Sequence, residues 1–341
     1  MHPLNNFADW LPVIFMGVMG LAMLAYVILD GYDLGVGILM RRASPADQDL
    51  MISSIGPFWD ANETWLVLGV GILLTCFPMA HGVILGALYL PVALMLLGLT
   101  LRGVAFDFRA KAQAGAQALW NRAFHAGSVI ASLSQGWMLG SFILGFQDTW
   151  AAQAFAALIA ICLTSFYALL GACWLVMKSE GNLQLSATRW ARAALGLSAL
   201  GIIAVSVATP MLSQAIFDKW FSLPFIVLLA PVPTVTVLLF FIADRSLRRL
   251  PVRLKEGNRY GEWVPFACCV GILGLSFYGL AYSIFPYLVI DQLNVWDAAS
   301  DVESLRIIFF GAAVVVPVII AYTIFSYRVF AGKTKPLSYS N

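Results

Sequence analysis

Five acidic residues stand beside or inside apolar runs in the first third of the chain: Asp30, Asp33, Asp60, Glu63 and Asp107. Asp30 and Asp33 lie in Leu29-Asp30-Gly31-Tyr32-Asp33-Leu34-Gly35-Val36-Gly37, and their spacing of three puts both on one face of a helix. Asp60 and Glu63 share that spacing in Gly56-Pro57-Phe58-Trp59-Asp60-Ala61-Asn62-Glu63-Thr64-Trp65-Leu66. Asp107 follows Arg102 in Leu101-Arg102-Gly103-Val104-Ala105-Phe106-Asp107-Phe108-Arg109. An ionised carboxylate in hydrocarbon is costly, so such groups are paired, protonated or lined by water. Neighbouring carboxylates also titrate as a coupled set. The chemistry these residues suit is proton relay through a water file, with Arg102 neutralising one of the acids at the same depth.

Plainer roles exist for each group. Asp60 or Asn62 can cap a helix start, where negative charge is favoured. Trp59 and Trp65 suit a membrane interface. Arg102 can snorkel, with Asp107 an ordinary loop acid. Gly31 and Gly35 form a small-x-x-x-small pair that admits a second backbone. The segment 59–65 packs two acids, an amide and two indoles into seven residues, which is more than capping requires.

Other chemistries find little support. The three histidines are His2, His81 and His125; the last two are expected at opposite membrane faces, so they cannot jointly clamp a haem iron. A structural role is the expectation for His125. Cys76, Cys162, Cys173, Cys268 and Cys269 all lie in apolar runs without C-x-x-C spacing, and read as small buried hydrophobes. No P-loop, HExxH or dinucleotide fingerprint occurs.

The elements that must position these acids follow from composition. Of 341 residues, 61% are hydrophobic and 11% charged. The mean hydropathy is +0.85. A soluble domain carries roughly 25% charged residues. Soluble globular, disordered and nucleic-acid-binding classes are thereby excluded, and the chain reads as an all-α polytopic membrane protein. Apolar runs predict nine spans at about 12–30, 64–80, 82–101, 122–145, 152–177, 191–209, 222–243, 263–286 and 306–328. The short Phe77–Gly82 join predicts a tight hairpin between spans two and three. Pro224, Pro231 and Pro233 should kink or shorten the seventh span. Residues 43–62 predict a short helix lying on the membrane face. Met1–Leu11 hold no Lys or Arg, so the first helix is expected to be a permanent span rather than a cleaved signal.

The cations sort by side. Arg41, Arg42, Arg102, Arg109, Lys111, Arg122, Lys178, Arg189, Arg192, Arg245, Arg248, Arg249, Arg253, Lys255, Arg259, Arg328, Lys333 and Lys335 fall in connections of one side, against Lys219 and Arg306 on the other. Eighteen against two is the positive-inside pattern of nine spans with the N-terminus outside and the C-terminus in the cytoplasm. The connection before the last span is acidic (Asp291, Asp297, Asp301, Glu303) and suits the outer face. No internal repeat or low-complexity segment stands out, and residues 1–341 read as a single membrane domain.

The three acidic motifs, in this order and spacing, resemble subunit II of cytochrome bd-type quinol oxidases, a family that includes the cyanide-insensitive oxidases. They cover about the first third of the chain; the remainder agrees in length, span count and orientation. Ala61 stands where many relatives have Gly, which touches a turn and no titrating group. The resemblance implies two four-helix bundles plus a peripheral helix, paired with a haem-bearing subunit I. The complex would oxidise quinol and reduce oxygen to water, taking its chemical protons from the cytoplasm. Subunit I would hold two b-type haems and one d-type (or b-type) haem, with no haem in this chain. Some members add a structural quinone or a small single-span accessory subunit. By motif position the proton route would run through Asp30, Asp33, Asp60 and Asp107, with Glu63, Arg102 and Trp59 supporting it. The rival reading is a proton-coupled secondary transporter, which intramembrane acids and proline-broken helices also suit. Acids gathered at one face and the lack of repeat symmetry weigh against it. Co-purification with a red haem-bearing partner would exclude it.

Overall fold

The computed structural model describes residues 6–112, 114–223 and 225–334, so His2, Pro224 and Lys335 lie outside the described residues. A backbone surrounded by apolar side chains and lipid must satisfy its polar groups internally, which selects helices. In chain order these are α1 (Phe7–Leu39), α2 (Pro45–Ile55), α3 (Trp59–Cys76), α4 (Pro78–Lys111), α5 (Ala114–Ile143), α6 (Trp150–Lys178), α7 (Gly181–Leu212), α8 (Gln214–Phe221), α9 (Phe225–Leu229), α10 (Pro231–Lys255), α11 (Val264–Ile284) and α12 (Val302–Val329). Six of them, α1, α4, α6, α7, α11 and α12, are long and apolar enough to cross a membrane. A short antiparallel hairpin, β1 (Tyr287–Val289) with β2 (Leu293–Asn294), joins α11 to α12.

Several boundaries differ from the sequence expectation, each for a physical reason. α1 continues to Leu39 instead of ending near residue 30. Its two aspartates find partners inside the protein, so the helix need not stop to give them water. α4 runs to Lys111, well past Arg102, which puts Asp107 on a helix and not in a loop. The seventh span is broken into α9 and α10, and α10 opens on Pro231, where a missing N–H costs nothing. The segment before α3 does form a helix, α2, but it does not simply lie on the face. Met51, Ile52, Ser53, Ser54 and Ile55 are buried, and Trp174 Nε1 donates to Ser54 O at 3.2 Å.

Phe77 alone joins α3 to α4. The freed carbonyls at the end of α3 are taken by the loop before α12: Ser300 N donates to Cys76 O and Ser300 Oγ to Thr75 O, both at 2.8 Å. α4, α5, α6 and α7 pack as successive neighbours, and α1 lies against α3, α5 and α6. α10 pairs with α11, while α12 lies against α1 and α3. The crossing of α1 and α6 is a backbone contact. A Cβ on Gly35 would sit 1.8 Å from Tyr167 O, and one on Gly171 would sit 2.3 Å from Gly35 C. Gly31, the other member of the small pair, packs instead on the Tyr167 ring. The largest buried cluster surrounds Tyr32, Phe58 and Trp174; a second, around Leu11, Phe15, Phe77 and Val295, includes Leu288 and Leu293 of the β hairpin. The five cysteines are free, and four are buried.

Candidate functional site

Because α1 is packed on three sides, its Asp30 and Asp33 are fully buried. Arg102 reaches them from α4 and is itself only 1% exposed. Its Nη2 lies 2.7 Å from Asp30 Oδ1, an ion pair, and donates a 2.7 Å hydrogen bond to Glu63 Oε1 on α3. One guanidinium therefore bridges acids on two helices. Glu63 is partly open, with 32% of its side chain exposed, so the bridge links the buried core to the surface of the chain.

Asp33 is held differently. Asn62 Nδ2 donates to Asp33 Oδ2 at 2.8 Å, and it also faces Tyr32 OH at 2.9 Å and Leu29 O at 3.2 Å. Tyr327 OH, from α12, donates to Asn62 Oδ1 at 3.1 Å and lies 2.6 Å from Tyr32 OH. No cation contacts Asp33 among the described ion pairs. Asp30 Oδ1 and Oδ2, Asp33 Oδ1 and Arg102 Nη1 have no hydrogen bond within the described chain. One turn before Asp30, Tyr26 OH accepts from Gln135 Nε2 at 2.8 Å, and Tyr167 OH donates to Gln135 Oε1 at 2.7 Å. Polar side chains thus continue from the acids into α5 and α6.

The structure brings Asp30, Asp33, Glu63 and Arg102 together. It leaves Asp60 and Asp107 on the surface of the chain, both exposed. These two are tied to the cluster through Trp59, whose ring packs 5.1 Å from Phe106 and covers Gly103. Trp59 thereby holds the start of α3 against the stretch of α4 between Arg102 and Asp107.

Sequence reasoning missed Tyr26, Gln135, Tyr167 and Tyr327, quoted Tyr32 without a role, and offered Asn62 only as a helix cap, a position that Phe58 takes. Gln135 had a legible signal, since an amide within an apolar span is costly for the same reason as an acid. The tyrosines had none, because phenols are ordinary residues of spanning helices. It also missed a second polar knot. Arg109, 2% exposed, donates to Asn121 Oδ1 and pairs with Asp49, while Asn121 Nδ2 donates to Gln48 Oε1 at 2.6 Å.

His81 lies in the first turn of α4, and His125 lies on α5. Gly127 packs against Gly98 and Arg102, so His125 neighbours the opposite end of α4 from His81. His125 Nδ1 is 3.1 Å from Gly37 O, a bond that fastens α5 to the end of α1. No group of three or more His, Cys, Asp or Glu side chains suited to a metal ion occurs among the described residues.

The family model for cytochrome bd terminal oxidase subunit II matches residues 11–330. Cytochrome bd ubiquinol oxidase subunit 2 of Bacillus subtilis is 25% identical over 339 residues, covering 92% of this chain and 95% of that protein. Cytochrome bd-I ubiquinol oxidase subunit 2 of Escherichia coli K12 is 24% identical over 371 residues, covering 93% and 94%. A chain of the bd oxidase from Geobacillus thermodenitrificans superposes with a TM-score of 0.74 at 18% identity, covering 94% of this chain and 98% of that one, and so shares the fold. These bacterial relatives and the six apolar helices make this a multi-pass protein of the bacterial cytoplasmic (inner) membrane. With nearly the whole chain matched, the protein belongs to the cytochrome bd terminal oxidase subunit II family and is a subunit of a respiratory oxidoreductase.

Proposed function

We propose that this chain is the non-haem subunit of a complex that oxidises quinol and reduces oxygen to water, and that it both stabilises haem-bearing subunit I and supplies the complex with cytoplasmic protons. The observation that carries this reading is the buried Asp30–Arg102–Glu63 bridge beside Asp33, in a chain with so few charges. Arg102 is in contact with two acids, and Asp33 with no described cation, so Asp33 is the acid placed to take up and release a proton. Asp60 and Asp107, exposed at the α3/α4 surface, are the entry groups. Trp59 keeps them next to the bridge. Asp30 Oδ2 and Asp33 Oδ1, which have no hydrogen bond within the described chain, are the oxygens a water file would bond.

In this reading α3, α5 and α10 also cross, making nine spans in one membrane domain, with two four-helix bundles and a peripheral helix. The N-terminus lies outside and the C-terminus in the cytoplasm, as the division of eighteen cations against two supports. The haems, two b-type and one d-type (or b-type), reside in subunit I and perform the electron transfer and oxygen chemistry. A structural quinone and a single-span accessory subunit, which the resemblance implies for some members, have no residue of this chain assigned to them.

The test is Asp60→Asn and Asp107→Asn in the assembled complex. Oxygen consumption with quinol should fall by about a hundredfold, the low end of what a positioned proton-transfer group contributes. Haem content should stay normal. Unchanged turnover at normal haem content overturns the route, and loss of haem makes these residues structural.

A further inference from the structure

We propose that Tyr327 on α12 is a positioning residue for Asp33, and that the segment 330–334 after it straps it in place. The end of the chain then sets the geometry of an acid near its beginning. The proposal rests on the proton-route reading above.

The hydrogen-bond directions close into a ring. Tyr327 OH donates to Asn62 Oδ1. Asn62 Nδ2 donates to Tyr32 OH. The proton left for the 2.6 Å contact between the two phenols is then that of Tyr32, donated to Tyr327. Every donor and acceptor in the ring is used once and in a consistent sense. The second proton of Asn62 Nδ2 points at Asp33 Oδ2. An amide has two orientations that exchange its oxygen and nitrogen. The hydroxyl of Tyr327, together with Leu29 O at 3.2 Å from Nδ2, holds the one that offers Asp33 a donor. Without the hydroxyl, Oδ1 loses its donor and Asn62 is freer to turn its oxygen toward Asp33, a contact that only the protonated acid tolerates.

The strap is equally well defined. The Tyr327 ring packs 4.7 Å from Phe58, which in turn packs 5.5 Å from Trp174. Beyond it, Lys178 Nζ at the end of α6 donates to Phe330 O at 2.7 Å, and Thr334 N donates to Lys178 O at 2.7 Å. Lys333 Nζ donates to Ser179 O at 3.0 Å and pairs with the buried Glu262. Glu262 is fixed by Gln184 Nε2 at 2.9 Å. Residues 330–334 are thus bonded to the end of α6, to Ser179 just after it and to Glu262 before α11. Phe330, the first residue held this way, lies less than one turn beyond Tyr327.

The groups that face Asp33 are Asp30 and Tyr32 on α1, Glu63 and Asn62 on α3, Arg102 on α4 and Tyr327 on α12. The test uses the assembled complex with Tyr327→Phe, Asp33→Asn and Glu262→Gln, and Tyr322→Phe on the exposed side of the same helix as control. Tyr327→Phe should keep haem content and lower quinol-dependent oxygen consumption about three- to tenfold, the scale of one hydrogen bond. It should also displace the pH–activity profile, which loss of packing alone would not do. Glu262→Gln should move the profile the same way by a smaller amount. Tyr322→Phe should match the wild type. A wild-type rate and profile for Tyr327→Phe, with Asp33→Asn slow, overturns the positioning role and leaves the proton route standing. A wild-type rate for Asp33→Asn removes Asp33 from the route, and this proposal with it. Haem loss in Tyr327→Phe with a wild-type profile in Glu262→Gln makes α12 an assembly element and overturns the proposal.

Discussion

Arg102 is the residue on which the acid cluster depends. It is the one cation in contact with Asp30 and Glu63 among the described residues, and it is 1% exposed. Removing one partner of a buried pair leaves the other charge without compensation, which costs about 3–5 kcal/mol. Arg102→Gln should therefore reduce the yield of assembled complex and lower its thermal midpoint in detergent. Adding Asp30→Asn to Arg102→Gln should recover part of that loss, because the stranded negative charge is gone. Equal stability of the single and double variants would contradict the bridge. The bridge was legible in the sequence because charge is scarce there, and three of its members stand in short motifs with helical spacing. Asn62 was visible as an amide among acids, but its partner Tyr327 is 265 residues away and nothing local announces the contact.

At the scale of elements, the α1/α6 crossing decides whether the aspartates are buried at all. Gly35 meets Tyr167 O and the backbone of Gly171, so no side chain fits between the helices. Gly35→Ala forces the helices apart, and overpacking of this kind costs about 1–3 kcal/mol or more. The expected outcome is a lower thermal midpoint and reduced assembly. Gly17→Ala in the same helix should be neutral, since a Cβ there meets nothing within 4 Å. Thermal denaturation of the two variants side by side checks the pair, and equal midpoints would refute the crossing. The sequence marked Gly31 and Gly35 as a packing pair but could not say which would meet a backbone. The answer depends on the rotation of α6, which places Gly171 at Gly35 and the Tyr167 ring at Gly31. The buried half of α2 and the β hairpin between α11 and α12 were illegible for a similar reason. Both depend on what the rest of the chain puts over them.

For the whole molecule, the distribution of cations is a statement about sidedness. A fluorescent protein that matures only in the cytoplasm, fused after the last residue, should fluoresce. A phosphatase active only outside should be inactive there and active when inserted beside Lys219. The reverse pattern, or activity of the phosphatase at both places, would break the nine-span orientation. The strap from Phe330 to Thr334 lies on the same side as the C-terminus in this arrangement, and so does the Asp60–Asp107 surface. In the proposed route, proton entry and residues 330–334 would share one membrane face.

By itself the sequence determined the membrane class, the expected sidedness and the candidate acids, and its three motifs carried the resemblance to the family. The class and the candidate acids follow from composition and spacing, since the cost of burying charge in hydrocarbon holds for any arrangement of the helices. The tertiary structure alone decided how the acids are divided. Asp30 received the guanidinium, Asp33 received an amide held by two phenols, and Asp60 and Asp107 remained at the surface. Each successive residue turns about 100° around a helix axis, so the partner of an inward-facing group is set by how the helices are rotated and packed against one another.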